Sequence, residues 1–288
     1  MEFFHSFSSN ILNPIFYFLT SFGSGEIVFA IVILLYYCFN KELAKKLSFV
    51  LSTSFITNGI LKSLFLAKRP FQFAGKEYLR KMPNSDGATG TSFPSGHSQN
   101  AGTLYTSLIL NQLPKIVKIA SIVLLILVPI SRLYLGVHFF GDVIVGLSVG
   151  IILAFVLNFL YDKIKDKNYY HVFHLILLAV TIPFLIINWN NPNCGDLFKS
   201  TGLAVGIYLS NILETKYIKF TTDVPIKNKL IRLLIGIVVT LVIKSGVKLI
   251  LPSHNIFQLI RYFLMAFVVL AVIPFFFKGE KNGKYQVL

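Results

Sequence analysis

Three short polar clusters interrupt an otherwise apolar chain, and their residue types suit phosphate chemistry. Lys62 precedes Arg69-Pro70, then comes Pro94-Ser95-Gly96-His97, and Ser131-Arg132 leads on to His138 and Asp142. His138 and Asp142 are four apart at the start of an apolar run, so on a helix they share a face. The carboxylate can then accept from one imidazole nitrogen and leave the other as a free lone pair, which makes His138 a candidate nucleophile. In the second cluster, Pro94 before a helix start, Ser95 as cap and Gly96 allowing close backbone approach build a helix N-terminus that cradles an anion. His97 would stand beside that anion, placed to give a proton to a leaving oxygen. Lys62, Arg69 and Arg132 supply cations for phosphoryl oxygens, the two arginines as forks of donors. Each cluster alone also has a plain structural reading: an acid at a helix start, a well-capped helix, a basic residue at an interface. Several ionisable groups on one face at membrane depth favour function, although the residues alone do not choose between His97 and His138 as nucleophile.

The elements that must bring these clusters together are membrane helices. Of 288 residues, 55% are hydrophobic and 14% charged, with several runs near spanning length. The expected fold class is an all-α, polytopic membrane helix bundle. Spans are predicted over 25–39, 46–66, 97–113, 117–134, 138–160, 171–188, 200–213, 230–250 and 255–277, of which 25–39 and 200–213 are short. Residues 3–22 are rich in Phe but broken by polar residues and Pro14, which suits either an interfacial helix or a poor span. With no basic leading region or cleavage site, the first true span is expected to direct insertion.

A net charge of +15 raises nucleic acid as a partner, but the lysines gather in short clusters between apolar runs, so the charge reads as topology and no nucleic acid is expected. Lys41, Lys45 and Lys46; Lys115 and Lys118; Lys163, Lys165 and Lys167; Lys216, Lys219, Lys227 and Lys229; and Lys278, Lys281 and Lys284 all fall on one side, assigned to the cytoplasm. The other side receives 67–96, 135–137, 189–199 and 251–254, and with them all three polar clusters. The loop 67–96 is itself basic (Lys68, Arg69, Lys76, Arg80, Lys81), which points to a task other than topology. Cys38 and Cys194 form no disulfide framework and no metal-ligand spacing, and neither metal nor cofactor is expected.

Around 161–170 the chain changes character, dividing a core over 1–165 from a membrane extension over 166–288 with four further apolar segments. Gly141, Gly146 and Gly150 favour close helix packing. His5, His171, His174 and His254 read as interfacial polar residues. Lys244 and Lys248 share a helix face near its outer end, where they can snorkel; with Arg261 they are also candidates for a second anionic lipid site.

Lys62-x6-Arg69-Pro70, Pro94-Ser95-Gly96-His97 and Ser131-Arg132-x5-His138-x3-Asp142 together resemble the three-part signature of the type 2 phosphatidic acid phosphatase superfamily, which also contains vanadium haloperoxidases. All parts stand in order and without substitution, and the resemblance covers roughly residues 25–160. It implies a six-helix phosphatase core, its first helix interfacial or spanning, that hydrolyses a phosphomonoester or diphosphate without metal through a phosphohistidine. On that pattern His138 attacks phosphorus, Asp142 orients it, and His97 protonates the leaving group and later activates water. Lys62, Arg69, Ser95, Gly96 and Arg132 hold the phosphoryl oxygens. The implied protein is a multi-pass lipid phosphatase of the cell membrane, its site on the extracytoplasmic side, taking a lipid phosphate or polyprenyl diphosphate from the bilayer. The alternatives are a lipid phosphotransferase and a non-catalytic lipid transporter or receptor; the haloperoxidase branch is set aside because those relatives are soluble.

Overall fold

The apolar runs fold as helices, the form in which a segment in hydrocarbon satisfies its own backbone. The structure is a computed structural model that describes residues 11–73, 90–165, 167, 169–277, 280–281 and 284–285. His5, Lys76, Arg80, Lys81 and Lys278 fall outside these residues, as does much of the loop after Phe73.

Helix α1 is Leu12–Ser21, and α2 is Gly25–Leu34, prolonged by a π-turn over Leu35–Phe39. After them come α3 (Lys41–Phe65), a short α4 (Pro70–Phe73), α5 (Gly96–Leu110), α6 (Lys115–Tyr134), α7 (Phe140–Ile164) and α8 (Tyr169–Ile187). The chain continues with α9 (Gly195–Leu213), a π-turn at Glu214–Ile218, α10 (Ile226–Ile250) and α11 (Asn255–Phe267), which runs through a π-turn at Val268–Val272 into α12 (Ile273–Phe275). A two-residue hairpin pairs Glu280–Lys281 with Lys284–Tyr285.

Every predicted span has its helix. Six segments among the described residues are long and apolar enough to cross a membrane: Lys41–Phe73, Lys115–Tyr134, Phe140–Ile164, Tyr169–Ile187, Ile226–Ile250 and Asn255–Phe275. Helices α1 and α2, bent by 55° at their junction, can together count as a seventh. The chain is therefore a multi-pass membrane protein. Helices α5 and α9, expected as spans, do not meet that measure; α5 is only 15 residues long, and both carry polar residues that neighbouring helices bury: Ser98, Gln99, Asn100 and Thr103 in α5, Ser200, Thr201 and Ser210 in α9. Such residues are answered by one another, as where Gln99 Nε2 donates to Ser54 O at 2.8 Å and Asn58 Nδ2 donates to Gln99 Oε1 at 2.8 Å.

Glycine sets how closely α5 and α7 meet. A Cβ on Gly150 would lie 2.3 Å from Gln99 O, and one on Gly146 would lie 2.5 Å from Ser95 O, so neither helix could keep its place. The packing role read from this glycine series holds for those two, whereas Gly141 has nothing within 4 Å. His174 is not interfacial: it is buried, its Nδ1 donates to Tyr170 O at 2.8 Å, and its ring stacks on Tyr208 at 4.4 Å. Bulky aromatics from α3, α8 and α9 close over it, which its place near a run's start does not disclose.

Contacts sort the two ends of the bundle as the charge pattern predicts. Lys46 Nζ meets Asp162 Oδ2 at 2.6 Å, Lys41 Nζ meets Glu214 Oε1 at 2.6 Å, Lys45 pairs with Glu214 as well, and Cys38 Sγ donates to Lys229 O at 3.4 Å. Lysine clusters from three loops thus share one end, and Lys62, Arg69, Val137 and Asp196 gather at the other. Glu214 is 1% exposed and answers two ammonium groups. Removing one member of a buried ion cluster leaves uncompensated charge and costs about 3–5 kcal/mol. Glu214→Ala is expected to lower the unfolding temperature in detergent by several degrees; an unchanged melting curve would show that the cluster is not holding α3 to α9.

Candidate active site

Four chain reversals bring the clusters together. Helix α3 ends at Leu66, whose φ of +45° is left-handed and whose N–H donates to Lys62 O at 3.1 Å. The chain then runs beside residues 90–92, with Ser92 N donating to Ala67 O at 2.8 Å. That pairing carries Arg69 back over the end of its own helix. Its guanidinium donates through Nε to Gly90 O at 3.1 Å and through Nη1 to Val137 O at 3.1 Å, while Lys62 Nζ donates to Thr91 O at 2.6 Å.

The second reversal starts α5. Ser95 is its N-cap as expected: its Oγ accepts from Ser98 N at 3.4 Å and from Ser98 Oγ at 3.0 Å. Its own N–H donates to Asp142 O at 3.0 Å, which ties α5 to the start of α7. Gly96 and His97 follow in the first turn, where backbone N–H groups have no intrahelical acceptor.

The third reversal joins α6 to α7. Asp142 Oδ2 accepts from Phe139 N at 2.9 Å and from Ser92 Oγ at 2.5 Å, and His138 Nδ1 stands 3.4 Å from the same oxygen. His138 Nε2 faces the other way, 3.3 Å from Arg69 Nη1. Burial pushes the His138 imidazole below its usual pKa, against the pull of Asp142 and with the help of Arg69, so the ring is neutral at neutral pH. Arg132, near the end of α6, donates through Nη1 to Thr20 Oγ1 of α1 at 2.7 Å, and its Nε is buried without a hydrogen-bond partner.

These groups surround one cavity of about 460 Å³, lined by Lys62, Arg69, Gly96, His97, Arg132 and His138. Six of the eight residues singled out from sequence therefore share its wall. Asp142 lies behind His138. Ser95 is fully buried and not among the residues lining this cavity; its hydroxyl accepts from Ser98, its amide is bound to α7, and it supports Gly96 and His97.

The rest of the wall was not visible in the sequence. The fourth reversal, between α8 and α9, delivers Asp196 and Lys199: Asp196 Oδ2 is 4.0 Å from Lys62 Nζ, and Lys199 Nζ meets Asp196 Oδ1 at 2.9 Å. Leu203, Lys244, Tyr262 and Met265 from α9, α10 and α11 complete the enclosure, with Lys244 paired to Glu26 of α2. Ser92 had a usable signal, since it stands two residues before Pro94 and next to polar Thr91. Asp196 and Lys199 had none, being more than fifty residues beyond Asp142 in a separate part of the chain.

Residues 43–166 match the PAP2 superfamily, and residues 198–282 match the transmembrane extension of PAP2 superfamily phosphatases. Across 149 residues the chain is 33% identical to an undecaprenyl-diphosphatase of Sulfolobus acidocaldarius, an alignment covering 50% of this chain and 68% of that protein. The chain belongs to the PAP2 superfamily. It is also 45% identical over 83 residues to phosphatidylglycerophosphatase B of Bacillus subtilis, covering 26% of this chain and 41% of that relative. The solved structure of Aquifex aeolicus LpxE is similar with 28% identity and a TM-score of 0.47, over 54% of this chain and 90% of the other. PAP2 membership agrees with the signature that opened the sequence reading, and the second match gives the extension a family of its own.

Within this PAP2 site, Ser92 is the untested contact that the geometry makes most specific. A hydrogen bond to a charged group contributes about 1.5–3 kcal/mol, so Ser92→Ala is expected to slow phosphate release from a lipid phosphate roughly 10- to 100-fold while the protein remains folded. Wild-type turnover in a folded Ser92→Ala protein would mean that Phe139 N alone suffices to hold Asp142.

Proposed function

We propose that this chain is a membrane lipid phosphatase that hydrolyses a lipid phosphate or polyprenyl diphosphate through a phosphohistidine on the extracytoplasmic side. The observation that carries this reading is the meeting of His138, His97, Lys62, Arg69 and Arg132 around a single cavity. His138 is held with Nδ1 toward the Asp142 carboxylate, which favours the tautomer with its proton on Nδ1 and leaves the Nε2 lone pair toward the cavity. In the first step Nε2 forms a bond to phosphorus, the bond from phosphorus to the leaving oxygen breaks, and His97 gives that oxygen a proton. In the second step water attacks phosphorus as the P–N bond breaks, and His97 takes the proton of the water. Lys62, Arg69 and Arg132, with the amides of the first turn of α5, stabilise the charge on the equatorial oxygens. That is the role a metal ion fills in other phosphatases, and here three side-chain cations are positioned for it.

The relatives named above act on phosphatidylglycerophosphate and undecaprenyl diphosphate by their names, and both classes carry a phosphate at a membrane interface. The lysine clusters gathered at the opposite end support an outward-facing site by the positive-inside rule. In this reading residues 1–165 form the catalytic core, and the extension over 166–288 closes the cavity from the side.

The test is phosphate release from purified protein on a panel of lipid monophosphates and diphosphates, with and without chelator. The expected result is chelator-resistant release that falls by at least about a thousandfold in His138→Ala. Wild-type protein quenched in alkaline detergent should also carry an alkali-stable, acid-labile phosphoryl group that His138→Ala lacks. Retained turnover in that variant, or loss of turnover with chelator, would overturn the mechanism.

A further inference from the structure

A second cavity of about 320 Å³ lies between the start of α9, the end of α10 and the start of α11. Among the described residues its charged lining is Asp196, Lys199, Lys248 and Arg261, three cations to one carboxylate. All four belong to the extension. Asp196 and Lys199 also line the cavity of His97 and His138, which makes this ion pair the common wall of the two spaces.

Arg261 lies beside the Tyr262 ring at 5.5 Å, and its Nε is buried without a hydrogen-bond partner. A guanidinium keeps its proton at any physiological pH, so Arg261 remains a cation in the wall of this cavity. The grouping of Lys244 with Lys248 and Arg261 read from the sequence changes here: Lys244 turns to Glu26, and Lys199 takes its place.

We propose that this second cavity is a subsite for a phosphate group, beside the cavity that holds the phosphoryl group under attack. Two ammonium groups and one forked guanidinium suit a tetrahedral oxyanion with several acceptors, and Asp196 offsets only part of their charge. Because the two cavities share a wall, a head group with two phosphates can extend from one to the other. A free phosphate can fill the same subsite after release. This inference rests on the phosphatase reading of the first cavity.

The test compares the full-length wild type with Lys248→Gln/Arg261→Gln, two positions outside the catalytic cavity. If the subsite serves the head group, KM for a two-phosphate lipid rises about tenfold or more, while kcat and the kinetics of a one-phosphate lipid stay unchanged. If it serves free phosphate, both lipids keep their KM and inhibition by inorganic phosphate weakens several-fold; either result upholds the subsite. Unchanged KM ratio and unchanged inhibition in a folded variant overturn it, as does an equal loss on every substrate. Lys248→Gln, at an exposed position, stands in if the double variant does not fold. Should the wild type release phosphate from no lipid, the phosphatase reading fails by itself. Calorimetric binding of inorganic pyrophosphate to both proteins then decides the subsite, with equal affinities counting against it.

Discussion

Positive charge held out of water is the condition on which this structure turns. Lys62, Arg69 and Arg132 are all buried, and burying a cation is costly unless something answers it. A carboxylate beside each would cancel the field that an anionic substrate needs. Among the described residues their hydrogen-bond partners include dipoles: carbonyls of Gly90, Thr91 and Val137 and the hydroxyl of Thr20. These satisfy the donors and leave the net charge in place. Asp196 stands 4.0 Å from Lys62 and is partly exposed, and it answers Lys199 at closer range.

Holding carbonyls in that position explains features that look unrelated. The left-handed Leu66 and the pairing of Ala67 with Ser92 put the Gly90 and Thr91 carbonyls over the end of α3. Gly146 and Gly150 let α5 approach α7 until Ser95 N reaches Asp142 O. The side-chain carboxylate of Asp142 accepts from Ser92 Oγ, so the segment that supplies acceptors for the cations also fixes the partner of His138. Polar α5 tolerates its place at the centre because α3 and α7 surround it, and its Gln99, Asn100 and Thr103 find partners in Ser54, Gly23 and Gly150.

How much of this was legible depended on distance along the chain. The helical spans were readable because length and apolarity are local, and the sorting of their ends followed from lysine position. Lys62, Arg69, His97, Arg132 and His138 were readable because each stands at the end of an apolar run and the three clusters match one signature. Ser95 was readable as a cap, because a serine after proline and before glycine at the start of an apolar run is a local pattern. His174 was misjudged because its burial is made by aromatic side chains from three helices. The approach of Asp196 and Lys199 to Lys62 depends on α9 packing on α3, where a Cβ on Gly59 would lie 2.7 Å from Leu197 Cα, and no short pattern encodes such a contact.

The cavity wall begins at Ser24 and ends at Met265, so it draws on nearly the whole length of the chain. During synthesis the signature residues are complete once Asp142 has been made, yet the chamber around them stays open until α11 has joined the bundle. A nascent chain therefore has the chemical groups long before it has an enclosed place for them to act.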